Sequence, residues 1–332
     1  MKHKLKGLMV LILCLFISGC TMEKEVKDET ITITDQAGRV VTLDQPVEKI
    51  VSGYYIATTT LIGLGQTDKI VGVEMKADTR AIYQKAAPEL LELPAMGNKK
   101  SFNVEECAKA HPDVVFLPVS LKSYVDKLED LDMKVILLDP ETMQDFNEAV
   151  DIIANVCGAQ ERAQTYKDFQ QRLQTTYVRS QKDEKETIYF AGSDILQASG
   201  EHMFQGELIK NAGANNAITD TTSTSWFNIN KEELLKADPS YILIEQAGAD
   251  IEAVKKDASL QALQAINRNH IYEFPSALET WDTPNLSYCL GELWLKSILE
   301  PESISMDQVL KEAQQFYQEF YGIEVTAEDL GI

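Results

Sequence analysis

Histidine and cysteine are scarce in this chain, and neither is clustered. Four histidines occur in 332 residues, and past His3 they stand far apart at His111, His202 and His270. A zinc or manganese centre wants several histidines and carboxylates together. The scatter argues against a metalloenzyme and against a bare-metal binder. Beyond the first twenty residues the cysteines are Cys107, Cys157 and Cys289, each in an apolar helical context and none in a CxxC pair. They read as small buried hydrophobes and not as a disulfide framework. GxSxG, HExxH, the P-loop pattern and GxGxxG are all absent, which removes the common signatures of an enzyme. Low-complexity and adhesive repeats are missing too, so little supports a structural or adhesive surface protein. No apolar run reaches the roughly 20 residues of a spanning helix.

Basic charge is also short. Lys and Arg number 31 against 52 Asp and Glu, a net charge of −21. Three of those lysines, Lys2, Lys4 and Lys6, precede the apolar stretch Leu8 to Ile17 and the sequence Ile17-Ser18-Gly19-Cys20. A basic region, a short apolar core and small residues before a cut describe a secretory signal. The cysteine directly after the small pair resembles a bacterial lipobox. Residues 1–19 are then a signal peptide, Cys20 is lipidated as the first mature residue, and residues 20–30 form a polar tether. An ordinary signal with an incidental cysteine is the plainer alternative. Losing the three lysines takes the charge to −24. Such an acidic chain has no surface for nucleic acid, and it should touch an anionic membrane through its anchor alone.

The chain also repeats itself. "NVEECAKAHPDVVFLP" at 103–118 and "NINKEELLKADPSYILIE" at 228–245 align at an offset of 127 residues. Asn103 falls on Asn230, Glu105 on Glu232, Glu106 on Glu233, Lys109 on Lys236 and Pro112 on Pro239. Each copy reads helix, turn, buried strand. Asn103 and Asn230 suit an N-cap, and Glu106 and Glu233 three residues on suit the returning bond of a capping box. Glu105 and Glu232 are left pointing outward. Acids also favour helix N-termini through the macrodipole, by about 0.3–1 kcal/mol, which alone would account for them.

A period this long suggests two similar lobes. Alternation at 31–44, with a turn at Asp35–Gly38, predicts a β-hairpin. Residues 49–55 and 69–74 read as strands, with a helix between them ending at glycine. The pattern is helical over about 142–182, with no flexible linker, so a helix at 159–183 joins a lobe at 31–158 to one at 184–332. Strand–helix alternation resumes at 187–192 and 270–275, and two terminal helices follow. The fold class is α/β, with parallel sheets flanked by helices in each lobe.

With the lipobox, "TDQAGRVVTLDQPVEKIVS", the two NxEE…P units and "HIYEFPSALETWDTP" on the page, the chain resembles a known family. It is similar over essentially its whole mature length to the substrate-binding lipoproteins of bacterial ABC importers for ferric siderophores, haem and cobalamin. That family commonly has arginine where this chain has Lys49. The resemblance implies two Rossmann-like lobes joined by a long helix, a ligand cleft between them and small hinge motion; no enzymatic activity and no cofactor are expected. Its partners would be a permease and a separate ATPase subunit, met by a monomer held outside the cell membrane. It also implies an exposed glutamate on each lobe that docks on permease arginines. Position for position these are Glu105 and Glu232.

Ligands of open α/β sheets bind at the carboxyl edge of the strands. Loops at that edge offer Tyr54, Tyr55, Lys76, Met96, Asn98, Lys99, Lys100 and Ser120 from the first lobe. The second lobe offers Trp226, Gln246 and Trp281. At the offset of 127, Lys99 lies opposite Trp226. Lysines suit an anionic ligand and aromatics a broad, partly apolar one, and a ferric siderophore complex has both properties. Haem stays open, because Met96, His202, Met203 or Tyr54 offer axial ligands. Cobalamin and molybdate-type oxyanions stay open as well.

Overall fold

The structure, a computed structural model, describes residues 30–178, 185–219, 223 and 225–332. The signal, Cys20, the tether apart from Thr30, and 179–183 of the expected interlobe helix lie outside the described residues. Among the described residues no helix is long and apolar enough to cross a membrane.

The hairpin forms as the alternation requires: Ile31–Thr34 pairs antiparallel with Val40–Leu43. The Asp35 carboxylate ties its turn, accepting from the Ala37 and Arg39 backbone N–H groups at 3.0 and 2.8 Å. The first sheet has the order Ile70–Gly72, Ile50–Ser52, Val114–Pro118, Lys134–Leu138, all parallel. In the second sheet Thr187–Ala191, Tyr241–Ile244 and Ile271–Glu273 run parallel in that order. The short strands Gln197–Ala198 and Phe227–Asn228 add antiparallel pairs at its far edge, so this sheet is mixed and not purely parallel. The strand of each repeat copy, Val114–Pro118 or Tyr241–Ile244, therefore occupies the same inner place in its own sheet.

The two copies also end their helices alike. His111, after the helix Val104–Ala110, has φ 48°, and Asp238, after Lys231–Ala237, has φ 38°. Both adopt the left-handed conformation that His and Asp tolerate better than most residues. His111 is thus a helix stop. The N-terminal ends differ. Asn230 and Glu233 form the full capping box, but at the first copy only Asn103 bonds, accepting from the Glu106 N–H at 3.1 Å. Glu106 instead pairs with Lys109 at 2.9 Å.

Both sheets are buried on two faces, which explains their continuous apolar strands. On the outer face of each sheet lies a private core. Val115, Leu117, Val135 and Leu137 pack with Cys107 in the first lobe. Tyr189, Ile242, Ile244 and Ile271 pack with Leu234 in the second. The inner faces share one core. Phe116, Ile136 and Leu138 from one sheet and Ile188, Phe190 and Leu243 from the other join the same apolar cluster. It is filled by the helices Tyr55–Gly63, Met143–Cys157, Gln160–Leu173, Tyr288–Leu299 and Met306–Tyr321.

The interlobe connection is therefore a helical layer. The chain breaks at Gly158, φ 73°, between Met143–Cys157 and Gln160–Leu173. The second of these helices runs into a π-helical turn at Gln174–Val178. Arg172 grips Glu312 through two hydrogen bonds of 3.0 and 2.6 Å, and Lys85 pairs with Asp329 at 2.8 Å. The last helices thus return to the first lobe and to the connecting helix.

One carboxylate is sealed inside this layer. Glu292 is 2 % exposed and accepts from Asn211 Nδ2 at 2.7 Å and from Gln174 Nε2. Burial pushes its pKa up to about 7, against 4.5 in an ordinary glutamate, although the two amide donors favour the charged form. The folded chain therefore holds a proton that the unfolded chain has released. Stability falls as pH rises from about 4.5 to about 7 and is flat for this group above that. Glu292→Gln is expected to remove up to about 3 kcal/mol of that decline, read from urea unfolding of both chains at pH 5 and pH 8.

Candidate functional site

The strand Ile50–Ser52 leads into Gly53, Tyr54 and Tyr55. A Cβ at Gly53 would meet Leu117 Cδ2 at 2.7 Å and Phe102 Cε2 at 2.9 Å, so the turn has no room for a side chain. Tyr54 precedes the helix Tyr55–Gly63, and the two rings meet edge to face with centroids 5.6 Å apart. A buried network fixes this corner. Glu74, 5 % exposed, accepts from Thr58 Oγ1 at 2.7 Å and from the Tyr83 hydroxyl at 2.8 Å. Ser52 Oγ lies 2.7 Å from Thr58 Oγ1 and 3.1 Å from the Tyr54 carbonyl oxygen, which extends the network to the Tyr54 backbone. Desolvation raises the Glu74 pKa, and the hydrogen bonds from Thr58 and Tyr83 oppose it.

Lys99 is placed by a second device. It sits at the tip of the two-stranded hairpin Gly97–Asn98 and Ser101–Phe102. Asn98 Oδ1 accepts from the backbone N–H groups of Lys100 and Ser101 at 2.8 and 3.2 Å, an Asx-type turn. Ser120 Oγ donates to the Lys99 carbonyl at 3.2 Å. The Lys99 ammonium then stands 5.5 Å from the Tyr54 ring centroid and 5.3 Å from that of Tyr55, within cation–π range.

Opposite, the second lobe contributes Met203, Phe204, Gln205, Ser225 and Trp226. Together with Tyr54, Tyr55, Lys99 and Glu141 they line a cavity of about 300 Å³. Lys99 and Trp226 thus share one cleft, as the offset of 127 suggests. Trp226 leans on Phe190 at a centroid distance of 6.1 Å. Glu141 has a raised pKa, from desolvation first and from Asp139 second, with Lys99 opposing. Tyr55 also walls a neighbouring cavity of about 230 Å³, lined by Arg80, Gln246, Ser276, Glu279, Thr280 and Asn285 among others.

The remaining expectations divide. Met96 is completely buried, its methyl against Gly72, and belongs to the outer core of the first lobe. Trp281 is completely buried as well, and its indole N–H donates to the Tyr317 hydroxyl at 3.0 Å. Neither reaches the cleft, because an apolar side chain beside the strand ends is as easily turned into the core as out of it. Lys76, with φ 67°, and Lys100 are exposed and line neither cavity. Asn98 and Ser120 shape the Lys99 turn. Of the haem-ligand candidates, Tyr54 and Met203 line the cleft, whereas His202 lines a separate cavity of the second lobe with Lys185 and Glu207. Among the described residues no group of three or more His, Cys, Asp or Glu side chains suits a metal ion. Arg80 and Glu141 lie in loops outside the repeat, and nothing in their spacing marks them.

Glu105 and Glu232 are exposed in the first turns of the two repeat helices, and neither is in a salt bridge with a described residue. The acids beside them are occupied, Glu106 by Lys109 and Glu233 by the Asn230 N–H at 2.8 Å.

A family model described as periplasmic binding protein matches residues 50–278. The chain belongs to that family. Such binding proteins serve ABC importers outside the cytoplasm, partnered by a permease and an ATPase, and are transport components and not enzymes. The chain is 23 % identical to the molybdate-binding protein MolA of Haemophilus influenzae, over 96 % of this chain and 97 % of that one. It is 25 % identical to the uncharacterized ABC transporter substrate-binding lipoprotein YvrC of Bacillus subtilis, over 86 % of this chain and 93 % of that one. Among solved structures, a periplasmic solute binding protein from Veillonella parvula superposes with a TM-score of 0.78 at 21 % identity, covering 91 % of this chain and 97 % of that one.

The different placements of the tryptophans have a spectroscopic consequence for this binding protein. Ligand-induced fluorescence change should come from Trp226. Trp226→Phe is expected to abolish most of the quench on titration with a cleft ligand, while Trp281→Phe preserves it. A quench that survives Trp226→Phe would contradict this placement.

Proposed function

We propose that this binding protein captures an anionic ferric siderophore-type complex between its lobes and hands it to its permease. The observation that carries the reading is the Lys99 ammonium over Tyr54 and Tyr55, in one cavity with Trp226. A metal complex with negative charge and flat organic arms meets a positive charge and three aromatic faces there. The shared helical core favours modest closure over a wide hinge. Cys20 carries the lipid anchor, a single copy suffices for binding, and Glu105 and Glu232 dock on the permease. Two fixed charges add little affinity as isolated surface pairs, but they set orientation and encounter rate.

A second reading, a bare oxyanion such as molybdate, is favoured by the modest cavity of about 300 Å³ and by the similarity to the molybdate-binding protein MolA.

Two experiments test these assignments. Trp226 fluorescence is followed against ferric siderophores, haem, cobalamin and molybdate. The expected result is stoichiometric binding of a ferric siderophore without turnover, weakened roughly 10- to 100-fold by Lys99→Gln, the loss of one charge-assisted contact. Exclusive binding of molybdate would replace the first reading with the second. For docking, a Glu105→Ala/Glu232→Ala chain should keep its ligand affinity but lose cellular uptake, and unchanged uptake would refute the assignment.

A further inference from the structure

The cavity beside the cleft contains an arginine that no carboxylate of a described residue bonds. Arg39 pairs with Asp35 and Glu129, Arg162 with Glu319 and Arg172 with Glu312. Arg268 is exposed. Arg80 is half-buried, its guanidinium makes no hydrogen bond or ion pair with a described residue, and its Nε is shielded from solvent without an acceptor. A guanidinium N–H shielded from water without an acceptor is unfavourable. Among the acids, Glu74 feels the Arg80 charge, which helps to lower its pKa, but no bond joins them and both Glu74 oxygens are taken by Thr58 and Tyr83.

Arg80 is nevertheless held in place. Its Cζ stands 4.6 Å from the Tyr55 ring centroid. Stacking fixes the plane of a guanidinium and leaves its N–H fork free. Next to it the Ile82 N–H donates to the Leu278 carbonyl at 3.2 Å, tying this loop to the second lobe. From that lobe Gln246 follows the strand Tyr241–Ile244 and lines the same cavity, and its side-chain amide makes no hydrogen bond with a described residue. Two unengaged donor groups, one from each lobe, therefore border about 230 Å³. The one acid in the lining is Glu279, whose carboxylate oxygens are shielded; desolvation raises its pKa to about 7, with the hydroxyls of Tyr321, Ser287 and Thr59 opposing. At neutral pH that carboxyl is only partly ionised, so it repels an anion less than an ordinary glutamate would, and less still as the pH falls.

We propose that this compartment is an oxyanion subsite, in which Arg80 and Gln246 together bind one oxyanionic group of the cargo and thereby bridge the two lobes. It rests on the reading of the cleft as the cargo site and deepens it. The group is either a free tetrahedral oxyanion or an anionic oxygen pair on an arm of a larger complex whose body lies against Lys99 and Trp226.

The test measures binding by calorimetry with the full mature chain and its Arg80→Gln, Arg80→Lys and Lys99→Gln variants. The probes are sodium molybdate, a ferric tris-catecholate complex and neutral cobalamin. Whichever anionic probe the unaltered chain binds should weaken roughly 10- to 100-fold in Arg80→Gln. Arg80→Lys should recover only part, because an ammonium does not stack and fork together. Molybdate binding lost in Arg80→Gln identifies a free oxyanion. A ferric complex weakened while molybdate never binds identifies an arm. Anion affinity unchanged in Arg80→Gln overturns the subsite, and if Lys99→Gln still weakens binding the cleft reading survives. A loss in Arg80→Gln with none in Lys99→Gln keeps the subsite and sinks the Lys99 reading. An unaltered chain that binds cobalamin and neither anion overturns both.

Discussion

The two halves of this molecule are bound together by apolar burial between their inner sheet faces. Phe116 and Ile136 on one side, and Ile188 and Phe190 on the other, belong to a single cluster that the helical layer fills. Burial of this kind is non-directional and scales with the area removed from water. Opening the lobes widely would expose that area, so the layer acts as a stiff spine. The polar contacts inside it, Arg172 with Glu312 and Glu292 with Asn211 and Gln174, add geometry to an attachment that dispersion and water exclusion already supply.

This spine explains why the cleft opens at its margin. The strand ends of both sheets reach the same groove, and the residues there come from short, well-braced turns. Tyr54 and Tyr55 rest on the Glu74 network, and Lys99 rests on the Asn98 turn. A binding group held by buried hydrogen bonds loses less freedom when the ligand arrives, which raises affinity without added contacts. The first-lobe wall of the cleft is thus held in place by buried polar networks.

Much of this was legible in the sequence because it depends on periodicity. The hairpin at 31–43, the apolar strands and the doubled helix–turn–strand unit follow from side-chain alternation and from residues that cap or stop helices. Asn103 and His111 are explained by their own backbone positions. What spacing does not encode is the direction of a single loop side chain. Met96 and Trp281 were expected at the cleft and turn into cores, while Arg80 and Glu141 reach the cavities from loops with no marked pattern. The first capping box was half right for a similar reason: Lys109, three residues on, competes for Glu106.

The three thiols of the described chain deserve a last physical remark. Cys107, Cys157 and Cys289 are free and buried, and desolvation pushes the first two up to about 12, at Cys157 against the opposing Lys69 charge. Only a thiolate attacks a disulfide or an oxidant readily. A folded copy exported into an oxidising space is therefore chemically quiet at these sulfurs. Mispairing would be confined to the interval between secretion and folding, so rapid collapse of the chain is itself its protection against crosslinking.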